Sequence, residues 1–249
     1  MDTSGLVPFY DAAYSLEPAD ASTSSRWRAL GARGKADHVQ ALCRRAGLEP
    51  HTTLEVGCGD GALLSELHRR RFGGRLHGVE ISHAAVAIAR GRAEIAGVEL
   101  YDGLHLDVPD RTFALGVLSH VLEHVPEPAL LLEEAARACD AVIVEVPLER
   151  NLSARRASKR EHAAKVGHLQ RLDRAETRAI VTGAGMAVTA ELEDPLPLAV
   201  HRFYAVTPAE RARATLKWAI RSGLHRLAPS LARRLFTVHY ACLCLPPAA

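Results

Sequence analysis

Short apolar segments alternate with longer amphipathic segments over most of the chain. Apolar runs predict seven strands, at 53–56, 75–79, 98–101, 113–118, 141–146, 186–192 and 237–245. Between them, apolar residues recur at helical spacing and predict helices at 27–47, 62–71, 82–96, 126–138 and 173–184. Strands that alternate with helices of this length favour parallel pairing with right-handed crossovers. We therefore expect an α/β fold with a doubly wound, mostly parallel seven-stranded sheet, in which the last strand runs antiparallel beside the sixth.

The first strand ends in a glycine-rich turn. Residues 54–61 read Leu-Glu-Val-Gly-Cys-Gly-Asp-Gly and lead directly into a helical segment. Glycine tolerates positive φ and lets the main chain approach a ligand closely, while the following helix directs free N–H groups at it. In a parallel sheet, ligands bind beyond the carboxyl ends of the strands, where Glu80, Asp102 and 119–120 also lie. The pattern indicates a nucleotide-type cofactor site.

Glu80 fits two classes of cofactor. A carboxylate after the second strand accepts hydrogen bonds from ribose hydroxyls in dinucleotide sites, and residues 57–62 match the short pattern G-x-G-x-x-A. Later segments decide between the classes. They read Gly-Val-Glu at 78–80, Asp-Gly at 102–103, Leu-Asp-Val-Pro-Asp-Arg-Thr-Phe-Ala at 106–114 and Val-Leu-Glu-His-Val at 121–125. In order and spacing, these motifs resemble those of the class I S-adenosylmethionine-dependent methyltransferases, specifically their small-molecule group.

The resemblance implies a Rossmann-like fold and a role for each matching residue. The glycine turn and Glu55 would hold the amino acid part of S-adenosylmethionine, Glu80 its ribose, and Asp102 the adenine amino group. Two positions depart from the family pattern, since Ala114 stands in place of an acid and Asp107 in place of a proline. The residues assigned to the cofactor by this resemblance are Glu55, Gly57, Cys58, Gly59, Gly61, Glu80, Ile81, Asp102, Gly103, Ser119 and His120.

Methyl transfer from a sulfonium is an in-line displacement, so the enzyme mainly aligns the acceptor and excludes water. A base is needed only where the acceptor must lose a proton. The resemblance implies that Ser119 and His120 line the pocket near the sulfonium, and we take His120 and His168 as candidate catalytic residues, ahead of His162. Alternatively, His120 only shapes the cofactor pocket and His168 only caps a loop. The candidate contacts to the acceptor are Tyr10, Tyr14, His168 and His201.

Three segments outside the motifs are candidates for acceptor recognition. Residues 1–26 are polar, with an aromatic patch and little periodicity, which predicts either a frayed tail or a flap over an occupied site. Two insertions rich in arginine and lysine follow the fifth and sixth strands, and 208–227 is amphipathic. We expect one domain over 1–249, with a flap and first helix at 1–50, a cofactor-binding core at 52–147, and insertions at 148–172 and 196–236 that cap the acceptor side.

Charge and cysteine usage narrow the classes of protein. The net charge of the 249 residues is +2, too small to indicate nucleic acid binding by itself, and stacking aromatics interleaved with lysines are lacking. The five cysteines show no C-x-x-C spacing, so we predict neither a disulfide framework nor a metal site. No apolar run is long enough to predict stable membrane insertion. We expect a soluble, cytoplasmic protein, and the sequence leaves its oligomeric state open.

The favoured hypothesis is a methyltransferase that uses S-adenosylmethionine, releases S-adenosylhomocysteine, and acts on an oxygen or nitrogen atom of a small-molecule or peptide-like acceptor. The basic insertions would bind an acidic acceptor through its carboxylate or phosphate, although they could equally form solvated helix faces. Three alternatives are an RNA methyltransferase, a non-catalytic binding protein of the same fold, and a nicotinamide-dependent oxidoreductase. The last would need a catalytic Tyr/Lys pair that the motifs do not supply.

Overall fold

Each predicted apolar segment forms a strand, and the seven strands build one sheet in the order β3-β2-β1-β4-β5-β7-β6. The computed structural model describes residues 6–15 and 22–246. Neighbouring strands from β1 to β5 pair in parallel, whereas β7 is antiparallel to both β5 and β6. The strands are β1 Thr52–Val56, β2 Arg75–Glu80, β3 Gly97–Leu100, β4 Leu115–Ser119, β5 Val142–Pro147, β6 Ala187–Asp194 and β7 His239–Leu245. The predicted fold class and the antiparallel last strand are confirmed.

Helices cover both faces of the sheet, and their ends follow local signals. α2 starts at the N-cap Ser22 and stops at Gly47, whose φ is 64°. Capping boxes start α7 at Asp173 and α9 at Thr207. The helices are α1 Leu6–Ser15, α2 Thr23–Ala46, α3 Ala62–Arg69, α4 His83–Arg90, α5 Pro128–Ala138, α6 Ala157–Lys165, α7 Arg174–Gly183, α8 Leu198–Arg202, α9 Pro208–Leu227 and α10 Pro229–Leu235.

The sheet is buried between two hydrophobic layers. On one face, α2, α3 and α4 pack side chains such as Leu42 and Leu64 against β4, β5 and β7. On the other, α5 and α7 contribute Leu131 and Val181 to a second cluster. Because both faces of β4 and β5 are covered, every residue of these two strands is buried. The carboxyl edge of the sheet is therefore where polar side chains of the strands can meet.

The N-terminal arm differs from its prediction, because residues 6–15 form a helix. Positions 1–5 and 16–21 of the predicted arm lie outside the described residues. Asp11 accepts hydrogen bonds from the Ser82 hydroxyl, at 2.7 Å, and from the Ala84 N–H, at 3.2 Å, at the start of α4. The helix thus depends on contacts with a distant part of the chain, which local periodicity does not encode. α4 is also shorter than predicted and ends at Arg90, since Gly91 follows.

The insertions form helices, α6 in the first and α8 to α10 in the second. α9 carries no buried residue, and several large apolar side chains on it are exposed, including Leu216 and Ile220. Among the described residues, none of the helices is both long enough and apolar enough to cross a membrane. α9 is therefore a cationic amphipathic helix that lies on the outside of the molecule.

Candidate functional site

The turn after β1 is held in a conformation that only glycine adopts easily. Gly57, Gly59 and Gly61 have φ values of 71°, 54° and 76°. The N–H groups of Gly57 and Cys58 donate to the Val79 carbonyl, at 2.8 and 3.0 Å. These bonds fix the turn to the end of β2, so the turn and the acid that follows β2 form one unit.

Close packing also excludes side chains from this turn. A Cβ on Gly57 would lie 2.8 Å from Val121 Cγ2, and one on Gly78 would lie 2.6 Å from Cys58 Sγ. The buried Cys58 thiol therefore lies over Gly78 of β2, and burial raises its pKa well above the usual value. Cys58 shapes the turn and keeps its proton.

Glu80 organises the main chain around the turn. Its Oε2 accepts the Gly59 N–H at 2.8 Å, and its Oε1 accepts the N–H groups of Ile81 and Ser82 at 2.8 and 3.0 Å. Burial raises the pKa of this carboxyl, although the three N–H groups act in the opposite direction. A carboxylate has about four acceptor positions, so Glu80 keeps acceptor capacity for a ligand.

Glu55 is a second buried carboxylate beside the turn. Within the described residues, its Oε2 has no hydrogen-bond partner. Burial raises its pKa to about 8, Lys35 lowers it, and Asp60 and Glu80 raise it further. An unpartnered buried carboxylate oxygen suits a ligand that carries an ammonium group. Together with the turn and Glu80, it fits the cofactor that the motifs imply, which carries both an ammonium and a ribose.

α1 lies over this site. The hydroxyl of Tyr14 contacts the space above Gly59 where a side chain would begin. One turn earlier, the hydroxyl of Tyr10 lies 2.8 Å from His124 Nδ1. Of the two tyrosines predicted to contact the acceptor, Tyr14 is therefore at the cofactor turn, and Tyr10 is at the histidines beyond β4.

The carboxylate of Asp102 caps the turn that follows β3. Its Oδ1 accepts the N–H groups of Leu104 and His105, at 2.8 and 2.7 Å, and Oδ2 lies 2.7 Å from His105 Nδ1. The side chain is 58% exposed. Gly103 beside it has a φ of 92°, as a tight turn requires. The carboxylate stabilises this turn, and its contact with adenine stays a prediction.

His120 follows β4 in a left-handed conformation, with φ 61°. Its Nδ1 lies 3.1 Å from Glu123 Oε1, and its Nε2 lies 3.3 Å from His239 Nδ1. Burial and Lys35 act to lower the pKa of His120, but contacts with Glu123 and Glu145 raise it overall.

Glu145 of β5 is the centre of a polar cluster that the sequence analysis missed. Its Oε2 accepts the Ser119 hydroxyl at 3.1 Å. Burial alone would raise its pKa, yet contacts with histidines hold it well below the usual value. Its Oε1 lies 3.1 Å from His38, 3.7 Å from His120 and 3.4 Å from His239. The available signal was an acid inside an otherwise apolar strand, Val-Ile-Val-Glu-Val-Pro.

His38 of α2 extends the cluster towards the end of β6. Its Nδ1 faces Glu145, and its Nε2 lies 3.2 Å from Asp194 Oδ2. Burial lowers the pKa of His38, but the two carboxylates outweigh it and raise the pKa to about 10. His38 is therefore a buried cation between two acids.

His168 contacts the histidine of the Val-Leu-Glu-His-Val motif. The positions of the two residues in the chain do not reveal this contact. Its ring meets the ring of His124 edge to face, with centroids 4.8 Å apart. Its Nδ1 lies 2.8 Å from Glu149 Oε2, while His124 Nδ1 lies 3.1 Å from the Gly167 carbonyl. The first insertion thus brings a carboxylate-oriented histidine to the edge of the sheet.

His201 lies in a different environment, on α8. Burial lowers its pKa, and Arg221 and Lys217 of α9 act in the same direction. The pKa of Lys217 is also lowered, first by burial and then by Arg221, Lys159 and Arg156. Cations from both insertions therefore lie close enough to influence one another electrostatically, and His201 lies within range of the same charges.

Comparison with known proteins gives a family match. A family model described as a methyltransferase domain matches residues 28–191. A phosphatidylethanolamine N-methyltransferase from Cereibacter sphaeroides is 36% identical over 113 residues, covering 43% of this chain and 51% of the relative. A ubiquinone biosynthesis O-methyltransferase from Pseudomonas paraeruginosa is 33% identical over 111 residues, covering 42% and 45%. The chain thus spans about half the length of the curated relatives it matches.

Solved structures share the architecture at low sequence identity. A SAM-dependent methyltransferase from Thermotoga maritima superposes with a TM-score of 0.64 at 14% identity, over 97% of this chain and 100% of the other. At that identity the likeness supports the fold alone. The family match rests on the sequence motifs, which lie at the glycine turn and along the adjoining edge of the sheet.

Proposed function

We propose an acceptor class and a catalytic arrangement on the premise that this chain belongs to the methyltransferase domain family, whose model matches residues 28–191 of its 249. It is a class I methyltransferase that depends on S-adenosylmethionine. The proposed reaction transfers the methyl group to an oxygen or nitrogen atom of a small-molecule or peptide-like acceptor that carries a carboxylate or phosphate. The observation that carries the acceptor class is the basic cluster formed by both insertions.

The cofactor, when bound, supplies a methyl group made electrophilic by its sulfonium sulfur. The chain supplies the binding groups. The glycine turn and the unpartnered Oε2 of Glu55 suit the amino acid part, while Glu80 retains acceptor capacity for ribose hydroxyls. Tyr14, on α1, excludes water from the turn, which favours a displacement that needs alignment more than acid or base assistance.

His168 is the candidate base for acceptors that must lose a proton. Glu149 lies 2.8 Å from Nδ1, so the N–H is expected there and Nε2 is left to accept a proton. A carboxylate in this position fixes the tautomer and stabilises the imidazolium that forms. His120 is the weaker candidate, since its Nδ1 faces Glu123 and its Nε2 faces His239, so neither ring nitrogen is open to an acceptor.

The basic cluster consists of Arg156, Lys159, Lys217 and Arg221. These cations repel one another, since the pKa of Lys217 is lowered first by burial and then by the charges of Arg221, Lys159 and Arg156. A bound anion would relieve this repulsion and would be attracted by it before binding. This supports the two insertions as a cap that selects an acidic acceptor.

His162 connects the basic cluster to the candidate base. Burial lowers its pKa, and the charges of Lys159 and His168 act in the same direction. The proposed acceptor has its anion at the basic cluster and its reactive oxygen or nitrogen at His168. The arrangement suits an acceptor whose anionic group and nucleophilic atom are separated by a short, rigid body.

The cofactor is tested by calorimetry with S-adenosylhomocysteine, and the acceptor by a paired panel. The panel contains phenols and amines that carry a carboxylate or phosphate, each with its uncharged ester or amide, and is assayed for S-adenosylhomocysteine release. Lys217→Gln should raise KM for charged acceptors about tenfold, because it removes one hydrogen bond to a charged group. Arg213→Gln, on an exposed position of the same helix, is the matched control and should leave KM unchanged.

Failure to bind S-adenosylhomocysteine at millimolar concentration would contradict the cofactor assignment. A preference for the uncharged member of each pair, or equal effects of the Lys217 and Arg213 changes, would contradict the acceptor class. Methylation of RNA with a steep dependence on salt would replace it with a nucleic acid acceptor.

A further inference from the structure

Three side chains meet where β4 and β5 end and β7 begins. His120 follows β4, Glu145 lies in β5, and His239 is the first residue of β7. Sheet register explains the meeting, since Ser119 is opposite Glu145 in β4 and β5, and His239 is opposite Pro147 in β5 and β7. Glu145 and His239 are therefore fixed by paired strands, and His120 lies in the bend directly after β4.

The donor atoms of these side chains form a nearly equilateral triangle. His120 Nε2 and His239 Nδ1 are 3.3 Å apart, and Glu145 Oε1 lies 3.4 Å from His239 Nδ1 and 3.7 Å from His120 Nε2. Tetrahedral zinc ligands at about 2.0–2.2 Å from the ion are about 3.3–3.6 Å from one another. A point about 0.7 Å above the plane of this triangle lies about 2.1 Å from all three atoms, which matches zinc bonds to nitrogen and oxygen with tetrahedral angles.

Direct hydrogen bonds among the three side chains explain these distances less well than a shared metal ion does. The separations to Glu145 Oε1 are longer than the usual 2.7–3.2 Å of N–H donors to oxygen. Two ring nitrogens that face each other can share only one proton, and they compete for the same carboxylate oxygen. Three donors converging on a common centre is the arrangement expected of metal ligands.

The surrounding residues resemble a second coordination shell. A histidine that binds a metal usually directs its other ring nitrogen to a carboxylate, and a ligating carboxylate is itself hydrogen-bonded. His120 Nδ1 lies 3.1 Å from Glu123 Oε1. Glu145 is contacted by the Ser119 hydroxyl and by His38, each at 3.1 Å. The hydrogen-bonded carboxylate is therefore present, whereas His120 Nδ1 is only within ion-pair distance of Glu123, whose oxygens accept no hydrogen bond within the described residues.

We propose that His120 Nε2, His239 Nδ1 and the carboxylate of Glu145 bind one divalent cation of the zinc class. Three protein ligands leave a fourth tetrahedral position for water or for an oxygen or nitrogen of a small molecule. The two imidazole rings are partly exposed, with 22% and 18% of their side-chain surface accessible, so the position is reachable from solvent. A role of the ion in orienting the acceptor rests on the proposed function, whereas cation binding does not.

A second group, Glu123, His124 and His168, also brings possible ligands together. In this group one nitrogen of each ring is engaged, since His124 Nδ1 contacts Tyr10 and His168 Nδ1 contacts Glu149, which leaves Nε2 of each ring. The remaining nitrogen of His124 is 4.0 Å from Glu123 Oε1, longer than the spacing of tetrahedral ligands. We therefore assign the ion to the first group and use the second as a control.

The test uses the full chain after removal of metals with a chelator, without cofactor or acceptor. Calorimetry should show that each chain binds one equivalent of Zn²⁺. Bound Co²⁺ should show the intense visible absorption of a tetrahedral ion. His239→Ala and Glu145→Gln should each weaken Zn²⁺ binding more than 100-fold, and Glu123→Gln about 10–100-fold, as for other outer partners. His68→Ala, an exposed histidine on α3, should bind as the unmodified chain does.

Thermal unfolding with and without Zn²⁺ guards against variants that simply fold poorly. The unmodified chain should gain stability on adding Zn²⁺, and His239→Ala should remain folded but gain nothing. No stoichiometric binding by the unmodified chain would overturn the proposal, as would binding that is lost in His168→Ala and kept in His239→Ala. Because S-adenosylhomocysteine binding is measured separately, either proposal can fail alone.

Discussion

The two halves of the carboxyl edge of the sheet are built in opposite ways. The cofactor half, at β1 and β2, takes Glu55, the glycine turn and Glu80 from a single stretch of 26 residues, 55–80. The histidine half, at β4, β5 and β7, takes His38, His120, Glu145 and His168 from separate segments, together with His239. The first half is held by main-chain bonds and the second by side chains that contact other side chains. A contiguous motif can be recognised in a sequence, whereas an assembled cluster needs the fold.

The comparison predicts that changes in the two halves affect different measurements. His168→Ala should give the largest effect, a fall in kcat of about 10²–10⁴-fold, because a positioned base contributes that much. The dissociation constant of this variant for S-adenosylhomocysteine should change less than about threefold, since the histidine half does not hold the cofactor. A threefold change is smaller than the tenfold change that corresponds to about 1.4 kcal/mol. Single-turnover kinetics and calorimetry measure the two quantities. An equal loss in both would show that the halves are not separate.

Glu80→Ala should have the converse effect and weaken cofactor binding. Its carboxylate accepts three backbone N–H groups, and its loss removes hydrogen bonds to a charged group from both turn and ligand. Affinity for S-adenosylhomocysteine should fall about 100-fold, and the free energy of unfolding by about 1–3 kcal/mol. Urea unfolding measures the second effect. Unchanged cofactor affinity would remove Glu80 from the cofactor half.

The dependence of the free energy of unfolding on pH should also differ between the two halves, with a smaller effect than the two changes above. Burial raises the pKa of Glu55 to about 8 from 4.5, and carboxylate partners raise that of His38 to about 10 from 6.5 despite burial. Since both are raised, each contribution is fully present below the unfolded pKa and is lost as pH rises through the folded pKa. The windows are pH 4.5–8 for Glu55 and 6.5–10 for His38.

Urea unfolding of the cofactor-free protein over this range checks the windows. Glu55→Gln should flatten the decline in the lower window and His38→Gln that in the upper one. If both variants follow the unmodified chain at every pH, the two groups do not titrate as their surroundings indicate.

Asp102→Asn should have the smallest effect. Its side chain is 58% exposed and its oxygens stabilise the turn to His105. We expect S-adenosylhomocysteine affinity to change less than about threefold, since a rim contact in water is worth well under 1.4 kcal/mol. A loss of 30-fold or more would return Asp102 to the adenine contact that its place after β3 suggests.

The sequence predicted the strands, the sheet and the cofactor turn, because these depend on periodicity and on residues close together in the chain. Glu80 was found since it stands where the second strand ends. Asp102 also follows a strand, but the direction of its side chain depends on hydrogen bonds to the next turn, which spacing does not specify. α1 was missed because its fixed position depends on Asp11 and on tyrosines that contact distant residues.

The histidine half could be predicted only in part. His120 and His168 were singled out by motifs, but their partners Glu145 and His239 carry no motif. One signal was available, because an acid in a strand buried on both faces must find a partner. It identifies Glu145 as unusual but does not name its partners, since His38 and His239 are 107 and 94 residues away along the chain.

α1 contacts both halves through residues one helical turn apart. Tyr14 touches the glycine turn, and Tyr10 touches His124. A rigid body of ten residues cannot release one tyrosine without disturbing the other. α1 is thus one cover shared by both halves, so a displacement of the helix would uncover the glycine turn and His124 together.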